Sequence, residues 1–315
     1  MITTEQLQED FTSGLNNFLA NYPESNLFGP IRYLLNLGGK RIRPLLALSV
    51  CNAEGSTSEA ALPASLAVEL FHNFTLMHDD IMDNAPLRRG HKAVHEKFNK
   101  NSAILSGDAL FTAAYQAIEL ASPDAMPKLL KLVNKTSMEV CEGQQLDLDF
   151  EAQTKVTEVM YLEMIRLKTS VLLAASCAMG AICAGASEKR IALWYEFGEK
   201  LGLAFQIQDD YLDTFGNKNA TGKKVGGDII ADKKTFLFIH ASSSSELPST
   251  NGLTDEVKID SIKEAMKSIG SDIAAKNIMK RYSGEASKAL DGLNLQLSTK
   301  TWFEELLFSV TERVT

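Results

Sequence analysis

Glu69-Leu70-Phe71-His72-Asn73-Phe74-Thr75-Leu76-Met77-His78-Asp79-Asp80-Ile81-Met82-Asp83 is the stretch whose reading decides the fold. On a wheel of about 100° per residue, Leu66, Leu70, Phe74, Met77 and Ile81 share one arc. Glu69, His72, Asp79 and Asp83 share another, nearly opposite, which predicts a helix with a packing face and an oxygen-rich face. Asp79 and Asp83 stand one above the other, four residues apart. Three carboxylates in one turn repel each other, so a cation is expected between them.

The pattern recurs as Asp209-Asp210-Tyr211-Leu212-Asp213. With 17 aspartates in 315 residues, chance gives roughly 0.05 DDxxD pentads per chain, so a pair is not an accident of composition. Glu199, Gln206, Asp209, Asp210 and Asp213 again share one arc, which also holds Gly202. If the two oxygen faces look at each other across a cavity, they form a hard-ligand site. Carboxylates without thiols suit Mg²⁺, which keeps waters and bridges to substrate phosphates.

Outward from the pentads, helical periodicity dominates and only eight prolines interrupt it. Helices are expected near 3–20, 27–37, 44–53, 60–83, 93–99, 102–121, 125–149, 156–184, 188–213, 228–242, 256–269, 272–293 and 300–313. Residues 216–232, with four glycines, and the Ser/Thr-rich 242–255 read as loops. Neither introduces a new composition. The expectation is an all-α, single-domain helical bundle over 1–315, built around a central cavity.

A net charge of −8 argues against a nucleic-acid groove or an anionic membrane surface. Cys51, Cys141, Cys177 and Cys183 show no paired or zinc-ligand spacing, so buried reduced thiols are expected. Residues 1–10 carry no signal-peptide pattern, and Val171 to Ala186 is short for a membrane span. The cytoplasm is the expected compartment, without stable membrane insertion.

The cations fall in motifs. Gly38-Gly39-Lys40-Arg41-Ile42-Arg43-Pro44 places three of them where a glycine loop enters a helix, a plausible anion site. Arg88-Arg89-Gly90 follows the first pentad, and Lys168-Thr169, Lys223-Lys224 and Lys233-Lys234 complete the set. Together with magnesium-type carboxylates they describe a site for diphosphates. No nucleophile elbow, Walker loop or dinucleotide fingerprint occurs, which leaves electrostatic chemistry on a diphosphate leaving group.

In this order, GGKRIRPLL, ELFHNFTLMHDDIMDNAPLRRG, GQQLD at 143–147, KTSVLL at 168–173 and GLAFQIQDDYLDTFG at 202–216 resemble the trans-isoprenyl diphosphate synthases. The resemblance implies a homodimeric prenyltransferase of short-chain type, joining isopentenyl diphosphate head-to-tail to allylic diphosphates to give C15–C20 products. Three Mg²⁺ ions, replaceable by Mn²⁺, would be held by Asp79, Asp83 and Asp209, with Asp80, Asp210 and Asp213 in support. Arg88, Lys168, Thr169, Gln206, Lys223 and Lys233 would clamp the allylic diphosphate. Lys40, Arg43, His72 and Arg89 would hold isopentenyl diphosphate, and Gln144 and Asp147 would line the pocket. Phe74 and Phe71, with the small Thr75 beside them, would form its floor, Phe74 stopping growth near C15 and Phe71 near C20.

Two departures stand out. The family's proline after the lysine-threonine pair is absent from Lys234-Thr235-Phe236-Leu237-Phe238, and Glu312-Arg313-Val314-Thr315 lacks a basic tail. The alternatives are a class I terpene cyclase, a non-catalytic subunit modulating another synthase, and a di-iron bundle built on the single Glu69-x-x-His72 motif. His91 and His95 at i, i+4 also invite a zinc reading, with no third ligand near them.

Overall fold

The computed structural model describes residues 3–216 and 225–311. In chain order these form α1 (Thr4–Leu19), α2 (Phe28–Asn36), α3 (Ile42–Ala53), α4 (Ser58–Met82), β1 (Leu87–Arg88), β2 (His91–Lys92), α5 (Val94–Lys97) and α6 (Lys100–Ile118). There follow α7 (Met126–Ala152), α8 (Glu158–Ile165), a π-helical turn (Arg166–Ser170), α9 (Val171–Cys183) and α10 (Glu188–Phe215). The chain ends in α11 (Gly227–Ile230), α12 (Phe236–Ser244), α13 (Asp255–Ile269), α14 (Ser271–Leu293) and α15 (Leu297–Thr311). The all-α class holds. Contacts divide the chain into two compact units, Met1–Asn134 with Ala175–Tyr195 and Lys135–Ala174 with Glu196–Thr315. Each unit is built from two separate stretches of chain.

In the first unit, the Thr3 hydroxyl caps α1 by accepting from Gln6 N–H at 3.2 Å. Leu7, Phe11, Leu15 and Phe18 then bury one stripe of that helix. The 25-residue α4 packs on α1, α3 and α6. It departs from the two-faced helix expected, because every residue from Ala64 to Phe71 is buried, Glu69 included. A helix enclosed on all sides must give its polar groups partners in place of water. Asn73 Nδ2 donates to the Glu69 carbonyl at 2.8 Å and to its carboxylate at 2.9 Å. Close helix approach is set by glycine: a Cβ on Gly180 of α9 would sit 2.2 Å from the Ala47 carbonyl oxygen of α3.

In the second unit, Phe150, Tyr161, Ile165, Leu203, Ile207, Phe236, Leu237, Met266 and Met279 form the core. Two helices expected as single are divided. The one over 156–184 widens into the π turn at Arg166–Ser170, and the one over 228–242 breaks between α11 and α12. At that break Asp232 turns left-handed (φ 53°) and Thr235 caps the next helix, accepting from Phe238 N–H at 3.4 Å.

Three smaller corrections follow. Residues 87–92 form a hairpin, with Leu87 opposite Lys92 and Arg88 opposite His91, turned by Arg89 (φ 53°) and Gly90 (φ 78°). His91 therefore lies on a strand, and the helical spacing behind a zinc pair with His95 does not exist. Cys51 and Cys177 are buried and Cys183 half-buried, whereas Cys141 is exposed, one residue round α7 from buried Val140. Glu158–Cys183 is long and apolar enough to cross a membrane by composition, further than Val171 to Ala186 suggested, yet 83% of its apolar window is buried inside the protein.

Gly180→Ala is expected to destabilise the chain by about 1–3 kcal/mol through overpacking of α9 on α3. Urea unfolding checks it; a midpoint equal to wild type would show that the contact relaxes freely.

Candidate active site

The loop before α3 is shaped by backbone conformation. Gly38 (φ 76°), Gly39 (φ 124°) and Arg41 (φ 50°) all take positive φ, a region glycine enters without penalty. A Cβ on Gly39 would lie 2.7 Å from the guanidinium carbon of Arg89, whose Nη1 donates to the Gly38 carbonyl. Arg41 holds the loop from below. It pairs with buried Glu69 and donates to the Leu35 carbonyl.

Around this loop four arginines gather near one histidine. Arg43 Nη1 lies 3.2 Å from His72 Nε2. A guanidinium only donates, so Nε2 accepts and the proton sits on Nδ1. Burial, then Arg43, Arg89, Arg88 and Arg41, hold His72 well below the usual histidine range. Burial also pushes Arg43 down to about 10, with Glu69 opposing and Arg89 adding to the fall. Arg43 Nε is buried without a hydrogen-bond partner. A crowded positive group with an unspent donor is chemically suited to an anion. Arg43, His72 and Arg89 thus come together as expected, and Lys40 is exposed on the same loop.

The first pentad occupies the last turn of α4, with Asp83 as its C-cap. That end carries the negative pole of the helix. Asp80 is fully buried and salt-bridged to Arg88 of β1, whose Nε donates to Oδ1 at 2.9 Å. Burial raises the Asp80 carboxyl, and Arg88 works against that rise. Burial alone would lower Arg88, but the hydrogen bond and charge of Asp80 outweigh it. Arg88 Nη2 is also 3.9 Å from Asp79. The Oδ2 atom of Asp80 is buried without a hydrogen-bond partner.

The second unit arranges its residues around the π turn. Gly143 faces the Leu167–Lys168 backbone, where a Cβ would lie 2.2 Å from Lys168 N, and a Cβ on Gly202 would meet Ser170 Cα at 2.6 Å. These two glycines let α7 and α10 close on the turn that carries Lys168 and Thr169. Arg166 opens it, forked onto Glu163 at 2.7 and 2.8 Å and reaching Glu199 at 3.3 Å. Lys168 Nζ meets Asp147 at 2.5 Å, and the Thr169 hydroxyl donates to Gln206 Oε1 at 3.0 Å. Gln144 is half-buried one turn from Asp147 on α7.

Asp209 is exposed, while Asp210 is buried and accepts from Tyr161 and from Gln206 Nε2, the latter at 3.2 Å. Burial and then Asp228 push Asp210 up to about 8, with Tyr161 and Gln206 opposing and Asp209 adding. Burial, then the charge of Asp210, holds Tyr161 well above the usual phenol range. Asp213 Oδ2 accepts from Asp228 N–H at 2.9 Å, and its carbonyl from Gly226 N–H at 2.7 Å. Lys233 N–H donates to the Asp228 carbonyl at 2.9 Å, while Lys223 lies outside the described residues. Among the described residues no three His, Cys, Asp or Glu side chains cluster as a ready-made metal cage.

A sequence model of the polyprenyl synthetase family matches residues 24–269, more than half of the chain. The chain belongs to the polyprenyl synthetase family. It is a prenyltransferase of isoprenoid biosynthesis, a short-chain prenyl diphosphate synthase. It is 40% identical over 272 residues to the geranylgeranyl diphosphate synthase of Methanosarcina mazei, covering 85% of this chain and 84% of that one. To the geranylfarnesyl diphosphate synthase of Natronomonas pharaonis it is 37% identical, over 68% of each chain. A crystal structure of a geranylgeranyl pyrophosphate synthase superimposes with a TM-score of 0.95 at 39% identity, covering 100% of both chains.

The parts of this synthase that sequence reasoning missed are supports: Arg41 with Glu69, Tyr161, and the π turn. Mid-helix glycines at 143 and 202 were the available signal, since such positions need a packing reason. The aromatic residues of the expected floor are also not isolated. Phe71 and Phe74 have ring centroids 5.5 Å apart, and Phe111 of α6 lies 5.9 and 5.2 Å from them. Thr75 donates its hydroxyl back to the His72 carbonyl at 2.8 Å.

His72 makes the stability of the synthase pH-dependent in a definite direction. Its folded pKa is depressed, so its contribution is complete above about pH 6.5, the unfolded value, and is lost as pH falls. His72→Gln is expected to flatten the acid limb by up to about 1.4 kcal/mol per pH unit below that point. Urea unfolding at pH 7.5 and 5.5 measures this; identical losses in both proteins would contradict a neutral buried imidazole.

Proposed function

We propose that this synthase condenses isopentenyl diphosphate with an allylic diphosphate and releases a C15–C20 product. The observation that carries the reading is the presence of two separate anion-binding groups, each beside its own aspartate pentad. One holds Arg43, His72 and Arg89 near Asp79–Asp83; the other holds Lys168, Thr169 and Gln206 near Asp209–Asp213. Two diphosphates need two such groups. All six aspartates are present, which favours an active enzyme over a modulating subunit, and the repeated DDxxD favours a synthase over a cyclase.

The donor set fits Mg²⁺. Asp79 and Asp83 offer hard oxygens one turn apart, and a buried Asp80 oxygen has no hydrogen-bond partner. Mg²⁺ needs only one or two carboxylates, taking its remaining ligands from water and phosphate. When bound, three such ions would neutralise the charge that develops on the departing diphosphate. Asp79, Asp83 and Asp209 would hold them, as the resemblance implies. Mn²⁺ would substitute.

Arg88, Lys168, Thr169, Gln206, Lys223 and Lys233 would bind the allylic diphosphate, while Lys40, Arg43, His72 and Arg89 would bind isopentenyl diphosphate. The cations fix both anions so that the reacting carbons meet. The allylic C–O bond breaks, the isopentenyl double bond attacks the allylic carbon, and the released diphosphate accepts the proton lost from the isopentenyl unit. Gln144 and Asp147 line the pocket. A single catalytic domain over 1–315, a homodimer and a cytoplasmic location complete the reading.

Asp79→Ala is expected to lower turnover by roughly 10³-fold or more, because it removes stabilisation made only in the transition state. Full turnover in excess chelator would refute the metal requirement. Chromatography of products from isopentenyl diphosphate and each allylic starter should show a C15–C20 product for wild type. Phe74→Ala should lengthen it by one unit or more, since one turn of 5.4 Å is close to an isoprene unit. Products of C30 or longer from wild type, or no lengthening, would place the floor elsewhere.

A further inference from the structure

Asp210 is 4% exposed, and its carboxylate is enclosed by donors from three elements. The Tyr161 hydroxyl of α8 donates to Oδ2, and the Phe236 N–H that opens α12 approaches the same oxygen at 3.5 Å. Gln206, one turn back on α10, donates Nε2–H to Oδ1 at 3.2 Å. With its NH₂ side spent on Asp210, Gln206 turns Oε1 the other way. That oxygen accepts the hydroxyl hydrogen of Thr169 at 3.0 Å.

The orientation of two side chains read above as diphosphate ligands therefore depends on Asp210. Asp210 in turn depends on Tyr161, a 2% exposed residue whose phenol would be costly to bury without this bond. Its ring belongs to the core, but a core ring alone would need no hydroxyl.

We propose that Tyr161 is a positioning residue for the allylic diphosphate: its hydroxyl fixes the Asp210 carboxylate, which orients Gln206 and, through it, Thr169. The proposal rests on the reading of Thr169 and Gln206 as allylic-diphosphate ligands. A tyrosine that only filled the core would lower stability without distinguishing the two substrates. One that positions these ligands must act on one substrate.

The test uses Tyr161→Phe in the full chain, which keeps the ring and removes only the hydroxyl. The KM for the allylic diphosphate should rise roughly tenfold, the worth of one buried hydrogen bond. The KM for isopentenyl diphosphate should stay within about twofold. Calorimetric binding of inorganic pyrophosphate with Mg²⁺ should weaken by a similar factor. In a Thr169→Val background the effect of Tyr161→Phe should largely vanish, because the two residues act in one chain. Equal rises in both KM values, unchanged pyrophosphate binding, or full additivity with Thr169→Val would each overturn the proposal. If Tyr161→Phe does not fold, Asp210→Asn serves, since its single acceptor oxygen cannot satisfy Tyr161 and Gln206 together. Absence of condensation by wild type would overturn the functional reading itself. Normal wild-type turnover without the KM split would overturn only the role of Tyr161.

Discussion

Everything at the two pentads follows from placing carboxylates where the helix already ends in negative charge. Asp79, Asp80 and Asp83 sit in the last turn of α4, and Asp209, Asp210 and Asp213 in the last two turns of α10. Two carboxylates one turn apart repel by about 3 kcal/mol at an effective dielectric near 20. The terminal carbonyls of each helix add to that repulsion. A chain would not keep such a cluster for stability, so each helix end is a place that a cation or cationic side chain must complete.

The middle aspartate of each pentad stands apart from the other two. On a helix the first and last members share a face, and the second is turned about 100° away. In both pentads that second residue is buried. Asp80 is matched by charge, with Arg88 arriving from the hairpin. Asp210 is matched by uncharged donors, Tyr161, Gln206 and the Phe236 N–H, and its carboxyl rises accordingly. A charge pair keeps a buried carboxylate ionised more firmly than neutral donors do. One motif thus yields two electrostatic environments, because the partners and not the pentad decide.

The difference between what was legible in the sequence and what was not follows sequence separation. The pentads, the glycine loop and the lysine-threonine pair are local patterns, and the helices that carry them were readable from periodicity. Their supports are distant: Arg41 reaches Glu69 across 28 residues, and Tyr161 reaches Asp210 across 49. Tyr161 lies in an apolar run and reads as core. The π turn over Arg-Leu-Lys-Thr-Ser contains no glycine or proline to announce it. It exists because Gly143 and Gly202 admit its backbone, a condition set by two other helices. The enclosure of α4 was hidden for the same reason, since a wheel shows periodicity but not how many neighbours a helix has.

The missing proline after the lysine-threonine pair shows how one backbone constraint can be replaced by several weaker ones. A proline there would stop a helix from running through and fix where the next begins. In this chain Asp232 interrupts the helix by turning left-handed, and Thr235 restarts it as an N-cap. Lys234, between them, donates to the Phe150 and Glu151 carbonyls at the end of α7, satisfying groups that a helix C-terminus leaves open. The Phe236 N–H at the new helix start approaches Asp210. The break is therefore tied both to α7 and to the second pentad. A proline would have set φ at one residue, whereas this arrangement couples the start of α12 to the carboxylate that orients Gln206. The segment around Lys233 is held by the same network that organises the site it is expected to serve.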